Sequence, residues 1–182
     1  MKFFPENPIL VYRPFHLNER NYLYLADRGR IYGDVRLFDD QGTGIHFYTN
    51  REDTIADQEM TVELSRIDLK QFKKVLPYLP DVEGWLGGSA HYVDSEGQMM
   101  LSADVSLDHF VYEKSPLGNW AMNGVYLPGD NNTHHVDGFI MHNDQEIIYM
   151  NGVYQADETG QENITGELEL QHFPLRVINP FI

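Results

Sequence analysis

From about Asn21 onward the chain alternates apolar and polar residues, and the alternation predicts strands almost throughout. In "NYLYLADRGRIYGDVRLFDD" Leu23 and Leu25 share a parity, a turn falls at Asp27 to Gly29, and Ile31, Gly33, Val35 and Leu37 then oppose Tyr32, Asp34, Arg36 and Phe38. That pattern is a hairpin. "GIHFYTN" and "EMTVELSRI" read as the next two strands, with Met60, Val62 and Leu64 opposite Thr61, Glu63 and Ser65. From Gly84 the strands resume, and Leu101, Ala103, Val105 and Leu107 face away from Ser102, Asp104, Ser106 and Asp108. After Phe110 the parity blurs, but further arms are separated by polar loops and by a tight turn near Asn143 and Asp144.

One segment breaks the period. In "SRIDLKQFKKVLPYLPDVEG", Asp68 is placed to cap a helix, Leu69, Phe72 and Leu76 recur at helical spacing, and Pro77 and Pro80 stop it. A short helix near residues 68–76 is expected, packed as a plug: Leu69, Phe72, Leu76 and Leu79 against the sheet, Lys70, Lys73 and Lys74 in solvent. The fold class is therefore all-β, a curved or sandwich-like antiparallel meander of amphipathic strands with one short helix. With 182 residues the chain is expected to be a single β-rich unit, 1–182.

Asn-Gly-Val-Tyr occurs at Asn123 and again 28 positions later at Asn151. Two strands and two turns consume about that length, so the echo predicts equivalent residues on every second strand. Gly124 and Gly152 are expected to allow close packing or bending there. Nothing nucleophilic or basic recurs in the two copies.

Charge narrows the partners. Residues 1–74 hold 11 of the 13 basic groups against 12 acidic ones, whereas residues 75–182 hold only Lys114 and Arg176 against 16 acidic residues. Nucleic-acid binding draws on clustered Lys and Arg, so nucleic acid is excluded as a partner. Anionic membrane faces are disfavoured for the same reason. The absence of cysteine removes thiolate nucleophiles and Cys-ligated metals from consideration.

Other chemistry is sparse. His134 and His135 are neighbours in a strand and point to opposite faces; His135 and Asp137 share a face, and His142 lies further on, but a strand neighbour would have to complete any metal site. The pairs Asp104/Asp108 and Glu167/Glu169 share strand faces, as an acidic chain makes commonplace. "GDNNTHHVDG" lacks the ligand spacing of a calcium loop, and Asn163 to Thr165 fits the short N-glycosylation pattern. No dinucleotide, phosphate-loop, zinc-protease or serine-elbow motif is present. The expectation is a non-enzymatic protein with no catalytic or metal-binding residues and no cofactor.

The order of these elements resembles a family. "VELSRIDLKQFKKVLPYLPDVEGWLGGSAHY", then "GNWAMNGVY", then "GELELQHFPLRVINPF" is similar to the repeated unit of AsmA-like, TamB-type translocation and assembly proteins in the long form found in Bacteroidota. The matching residues are Asp68, Leu69, Leu76 to Pro80, Gly84, Leu86 and Gly88, then Gly118, Asn119, Gly152 and Tyr154, and finally Phe173, Pro174, Leu175, Asn179, Pro180 and Phe181. The resemblance implies a periplasmic segment of a longer protein anchored in the inner membrane. It further implies a β-groove for phospholipid transport or outer-membrane protein assembly, with lipid acyl chains as partner and, through the full-length protein, an outer-membrane barrel. The apolar close at "LRVINPFI" fits an excised piece, with open sheet edges expected at residues 1–20 and 175–182.

The residues expected to line the groove are Leu86, Ala90, Leu101, Ala103, Val105, Leu107, Met122, Ile148 and Met150. The alternative is that these residues close a dry sandwich core. On the functional side, the competitor is a carbohydrate-binding or adhesion β-sandwich, motivated by the tyrosines, Trp85, Trp120 and the acidic loops; it requires coplanar aromatics displayed on one surface. A lipocalin-like barrel and a hydrolase rank below it.

Overall fold

The computed structural model describes residues 8–10, 13–50, 56–130, 132–156 and 162–181. Four short strands come first: β1 (Ile9–Leu10), β2 (Arg13–Pro14), β3 (His16–Leu17) and β4 (Tyr22–Leu25). The longer ones follow as β5 (Ile31–Phe38), β6 (Gly44–Thr49), β7 (Gln58–Asp68), β8 (Val82–Ser95), β9 (Gln98–Tyr112), β10 (Ser115–Pro128), β11 (Thr133–His142), β12 (Gln145–Ala156) and β13 (Glu162–Leu170). Strands β1 and β2 pair with each other; all the others form one 11-stranded antiparallel sheet in chain order from β5 to β13, with β3 and β4 both on the far side of β5. It is the curved meander the alternation predicts.

The pairing register sorts the side chains. Leu17, Leu37, Ile45, Leu64, Gly88, Val105, Met122, Ile140, Ile148 and Leu170 are successive cross-strand partners, one on each of β3 and β5 to β13. Because directly opposed residues lie on the same face, this is an unbroken row at right angles to the strands, about 43 Å long at the usual strand spacing. A second row on that face runs from Val35 through Phe47, Val62, Ala90, Ala103, Gly124, Gly138 and Met150 to Leu168. Between them, on the opposite face, lie Arg36, His46, Glu63, Ser89, Asp104, Asn123, Phe139, Tyr149 and Glu169. The sheet has an apolar face and a polar one.

Little covers the apolar face. Among the described residues the buried hydrophobics are Phe15, Leu117, Ile147 and Val177 alone, while Ile45, Val62, Leu101, Met122, Val136 and Leu168 on the apolar face are exposed. The accessible surface is 12622 Å², about 40% above the ~9,000 Å² expected of a compact monomer of this mass. Among the described residues the other sheet is the two-stranded β1–β2 pair, too small to close a sandwich core over this face.

The lower ends of the middle strands are bent by a seam of bulges. Register slips occur between Leu64 and Ile67, between Glu83 and Trp85, between Pro116 and Trp120, and opposite Ile140 and Met141. Arg66, Gly84, His109 and Gly118 at this level have φ of 49°, 140°, 53° and 80°. Each bulge inserts a residue that the partner strand does not match, which twists the strand and re-aims a side chain. Leu117 and Ile147 are two such extra residues, and both are buried. Asn119 and Asn143 patch the broken ladder: Asn119 Oδ1 accepts from the His109 N–H at 2.8 Å, and Asn143 Oδ1 from the Asn119 N–H at 2.9 Å.

Three expectations need correction. The helical segment exists, as a 3₁₀ turn at Leu69–Gln71 running into α1 (Phe72–Val75), with the Asp68 carboxylate accepting from the Lys70 N–H. It is not a buried plug, for Phe72 is 38% exposed and Leu76 37%. Four α-helical residues give too short a stripe to seal against a sheet. The open edge does not lie at 175–182, where Leu175–Phe181 form a 3₁₀ helix; it lies at β13, all of whose residues are exposed. Residues 1–7, 11 and 12 of the other expected edge, and the side chains of Arg176, Pro180 and Phe181, fall outside the described residues. Finally, Gly124 and Gly152 are not the points of close approach. A Cβ there would find its nearest neighbour at 3.8 Å, whereas one on their partners Gly138 and Gly166 would lie 2.6 and 2.8 Å from a backbone oxygen.

Candidate apolar binding face

All nine residues expected to line a groove fall on the apolar face. Val105, Met122 and Ile148 belong to the first row, Ala90, Ala103 and Met150 to the second. Leu86 and Leu107 are partners on one side of these rows, and Leu101 lies on the other, beside Tyr92 and Tyr126. The sequence list omits the half of the face built by β3 to β7. Leu17, Leu37, Ile45, Phe47, Val62 and Leu64 continue the same rows, and their alternation was present in the sequence without the register that joins them.

Two cavities flank the face at its bulged end. One, of about 400 Å³ and open to solvent, lies among Leu107, Phe110, Leu117, Trp120, Met122 and Val177, the last from the C-terminal 3₁₀ helix. The other, of about 240 Å³, lies between Phe15, Leu37, Ile45, Ile67 and Phe72. Phe15, Leu117 and Val177, three of the four buried hydrophobics, line these two places. None of these three residues stood out in the sequence, because bulges and a 3₁₀ turn carry no period.

The polar groups near the face are already engaged. Leu117 O accepts from Trp120 Nε1 at 3.0 Å and lies 2.8 Å from His142 Nε2. His134 stands between Tyr126 and Tyr154, the tyrosines of the two Asn-Gly-Val-Tyr copies, with ring centroids 5.9 and 5.5 Å away and Tyr126 Oη 2.7 Å from its Nδ1. The echo thus falls on alternate strands, as its spacing predicts, and builds a three-ring column. Its rings turn their faces on one another.

On the polar face Asp137 accepts from Tyr149 Oη at 2.9 Å and Asn151 Nδ2 at 3.0 Å. That bond, with some burial, raises the Tyr149 pKa above its usual value. His135 is not brought to Asp137 with a third ligand, and no group of three potential metal ligands occurs among the described residues. Lys70 bonds Glu83, Lys73 bonds Asp81, and Lys74 bonds Gln71, so the three lysines serve local pairing. The Glu83 bond raises the Lys70 pKa, and the Lys73 bond lowers that of Asp81. No helix among the described residues is long and apolar enough to cross a membrane. The chain matches no protein-family model, and neither a curated protein nor a solved structure matches it.

Proposed function

We propose that this chain is a non-enzymatic segment of a lipid conduit, whose apolar sheet face holds acyl chains as they pass along it. One observation carries the reading: a row of apolar partners about 43 Å long at ordinary strand spacing crosses ten strands without a polar residue, and among the described residues only short segments at Phe15, Phe72 and Val177 lie against it. Each chain CH₂ that leaves water for such a surface contributes about 0.8 kcal/mol, so a few carbons in contact suffice to hold a tail. No motif is required. Because the row repeats the same chemistry at each strand, it offers many equivalent positions in place of one tight site, as a surface for movement must.

The resemblance to AsmA-like, TamB-type proteins supplies the setting: a periplasmic stretch of an inner-membrane-anchored protein that serves phospholipid transport or outer-membrane protein assembly. Photo-crosslinking in cells, in the full-length protein, tests the reading. Crosslinkers at Val105 and Leu107 should yield phospholipid adducts, whereas those at Ser106 and Asp108, on the polar parity of the same strand, should not. Equal adducts from both pairs, or none from either, would remove the conduit.

A further inference from the structure

Resting on that reading and deepening it, we propose that the 400 Å³ cavity beside the C-terminal 3₁₀ helix is a seat for the methyl-terminal segment of a single uncharged alkyl chain. The volume falls in the range of small-molecule sites, roughly 300–1,000 Å³. No lining residue is charged. The one polar side-chain atom in the wall, Trp120 Nε1, is spent on Leu117 O, and His142 Nε2 bonds that same oxygen. Nothing remains to pair with a headgroup or with the N–H and C=O groups of a peptide, and burying those unpaired costs several kcal/mol each. A hydrocarbon bears no such cost.

The position fits a chain end. Val105, Met122 and Ile140 are walls of the cavity and also consecutive members of the long apolar row. A tail lying along the row therefore enters without crossing polar surface. The bulge at Leu117 and the buried Val177 stand beside the row here and widen the apolar contact, so the last carbons of a chain lodge among them with its headgroup left outside.

Trp120 makes the seat observable, because the only other tryptophan, Trp85, is not among the cavity's walls and lies beneath the Arg66 guanidinium. A maltoside with a terminally dibrominated undecanoyl chain, titrated below its micelle concentration, should quench Trp120 saturably in the Trp85→Phe protein. It should leave Trp85 unquenched in the Trp120→Phe protein. Met122→Arg, at a half-exposed wall position that tolerates charge without unfolding, should weaken the quenching at least tenfold while the melting temperature is retained. Equal or unsaturable quenching of both tryptophans, absence of quenching, or an unchanged titration in Met122→Arg would each overturn the seat. Phospholipid adducts from Val105 in cells without Trp120 quenching would leave the conduit standing and the seat refuted; quenching without adducts would do the reverse.

Discussion

From β3 to β8 the sheet is tied across its strands by charge and by buried polar side chains, whereas from β9 to β13 it is held by the backbone ladder and by amides. Arg13 pairs with Asp39, Arg30 with Asp57, His46 with Asp34 and Glu63, and His91 with Glu59; among the described residues every ion pair lies between residues 13 and 91. Where β6 ends, side chains take over the ladder on β5. Thr49 Oγ1 accepts from the Gly33 N–H at 3.0 Å, and Gln58 both accepts from the Ile31 N–H and donates to its carbonyl. In the second half the carboxylates of Asp104, Asp137, Glu167 and Glu169 meet only Asn, Gln, Tyr or solvent. The apolar face is exposed in both halves, at Ile45 and Val62 in the first and at Leu101, Met122 and Val136 in the second, and most of all at Leu168, 63% exposed on the edge strand. One half is fixed in register by side-chain ties; the other carries few of them and is acidic on one side and apolar on the other.

The largest test of this contrast concerns the ladder that both halves share. A Cβ on Gly88 would lie 2.2 Å from Asp104 O, and the residue takes φ 144°, so Gly88→Ala should cost about 4 kcal/mol or more. Gly124→Ala, whose Cβ would make only an ordinary contact at 3.8 Å, should fall within about 0.5 kcal/mol; paired urea titrations of the two variants decide. Ile147, 1% exposed at a bulge in the second half, should cost about 3 kcal/mol when truncated to Ala. A loss below about 1 kcal/mol would show that the bulge seam holds nothing together.

Asp39 tests the side-chain ties. Burial opposes its charge, but the N–H groups of Thr43 and Gln41 and the Arg13 guanidinium outweigh that and hold its pKa below the ordinary 3.8. A folded value below the unfolded one contributes stability that is present above the unfolded pKa and lost as pH falls through the folded one. Asp39→Asn should therefore destabilise at neutral pH, and its gap from the parent should narrow below about pH 4. A gap that stays constant across thermal melts at pH 7 and pH 3 would refute the charged tie. Smaller still is Phe72→Ala. Full burial would make this about 3 to 5 kcal/mol, but a side chain 38% exposed beside a cavity should give about 1 kcal/mol, measured by denaturant midpoint.

The strands were legible because period-two alternation survives in Leu101 to Asp108, and the Asn143–Asp144 turn because Asn and Asp tolerate positive φ. The turn at Glu113–Lys114, with φ of 45° and 67°, was not, since neither residue favours that region and pairing alone imposes it. The same holds for the seam. Leu117 and Ile147 look like ordinary strand positions, and only the neighbour's register makes them the odd residue. Phe72 was misread for a related reason: helical spacing identifies a stripe, but burial needs a surface large enough to receive it. The nine groove positions were legible as a parity, and their union with Leu37, Ile45 and Leu64 was not, because cross-strand partners are fixed by turns and bulges far apart in the chain.

The central claim is that the apolar face stands open in the folded protein and is covered by lipid. The chain has no cysteine, so single cysteines can be placed at Leu101, Met122 and Val136 on that face and at the adjacent Ser102, Asn123 and Asp137 on the other. Their reaction rates with a charged, water-soluble thiol reagent are then compared with and without phospholipid. The account predicts that all six react in lipid-free protein, and that lipid slows Leu101→Cys, Met122→Cys and Val136→Cys at least tenfold while leaving their neighbours unchanged. If those three are already unreactive without lipid, the face is sealed by protein and the account is wrong.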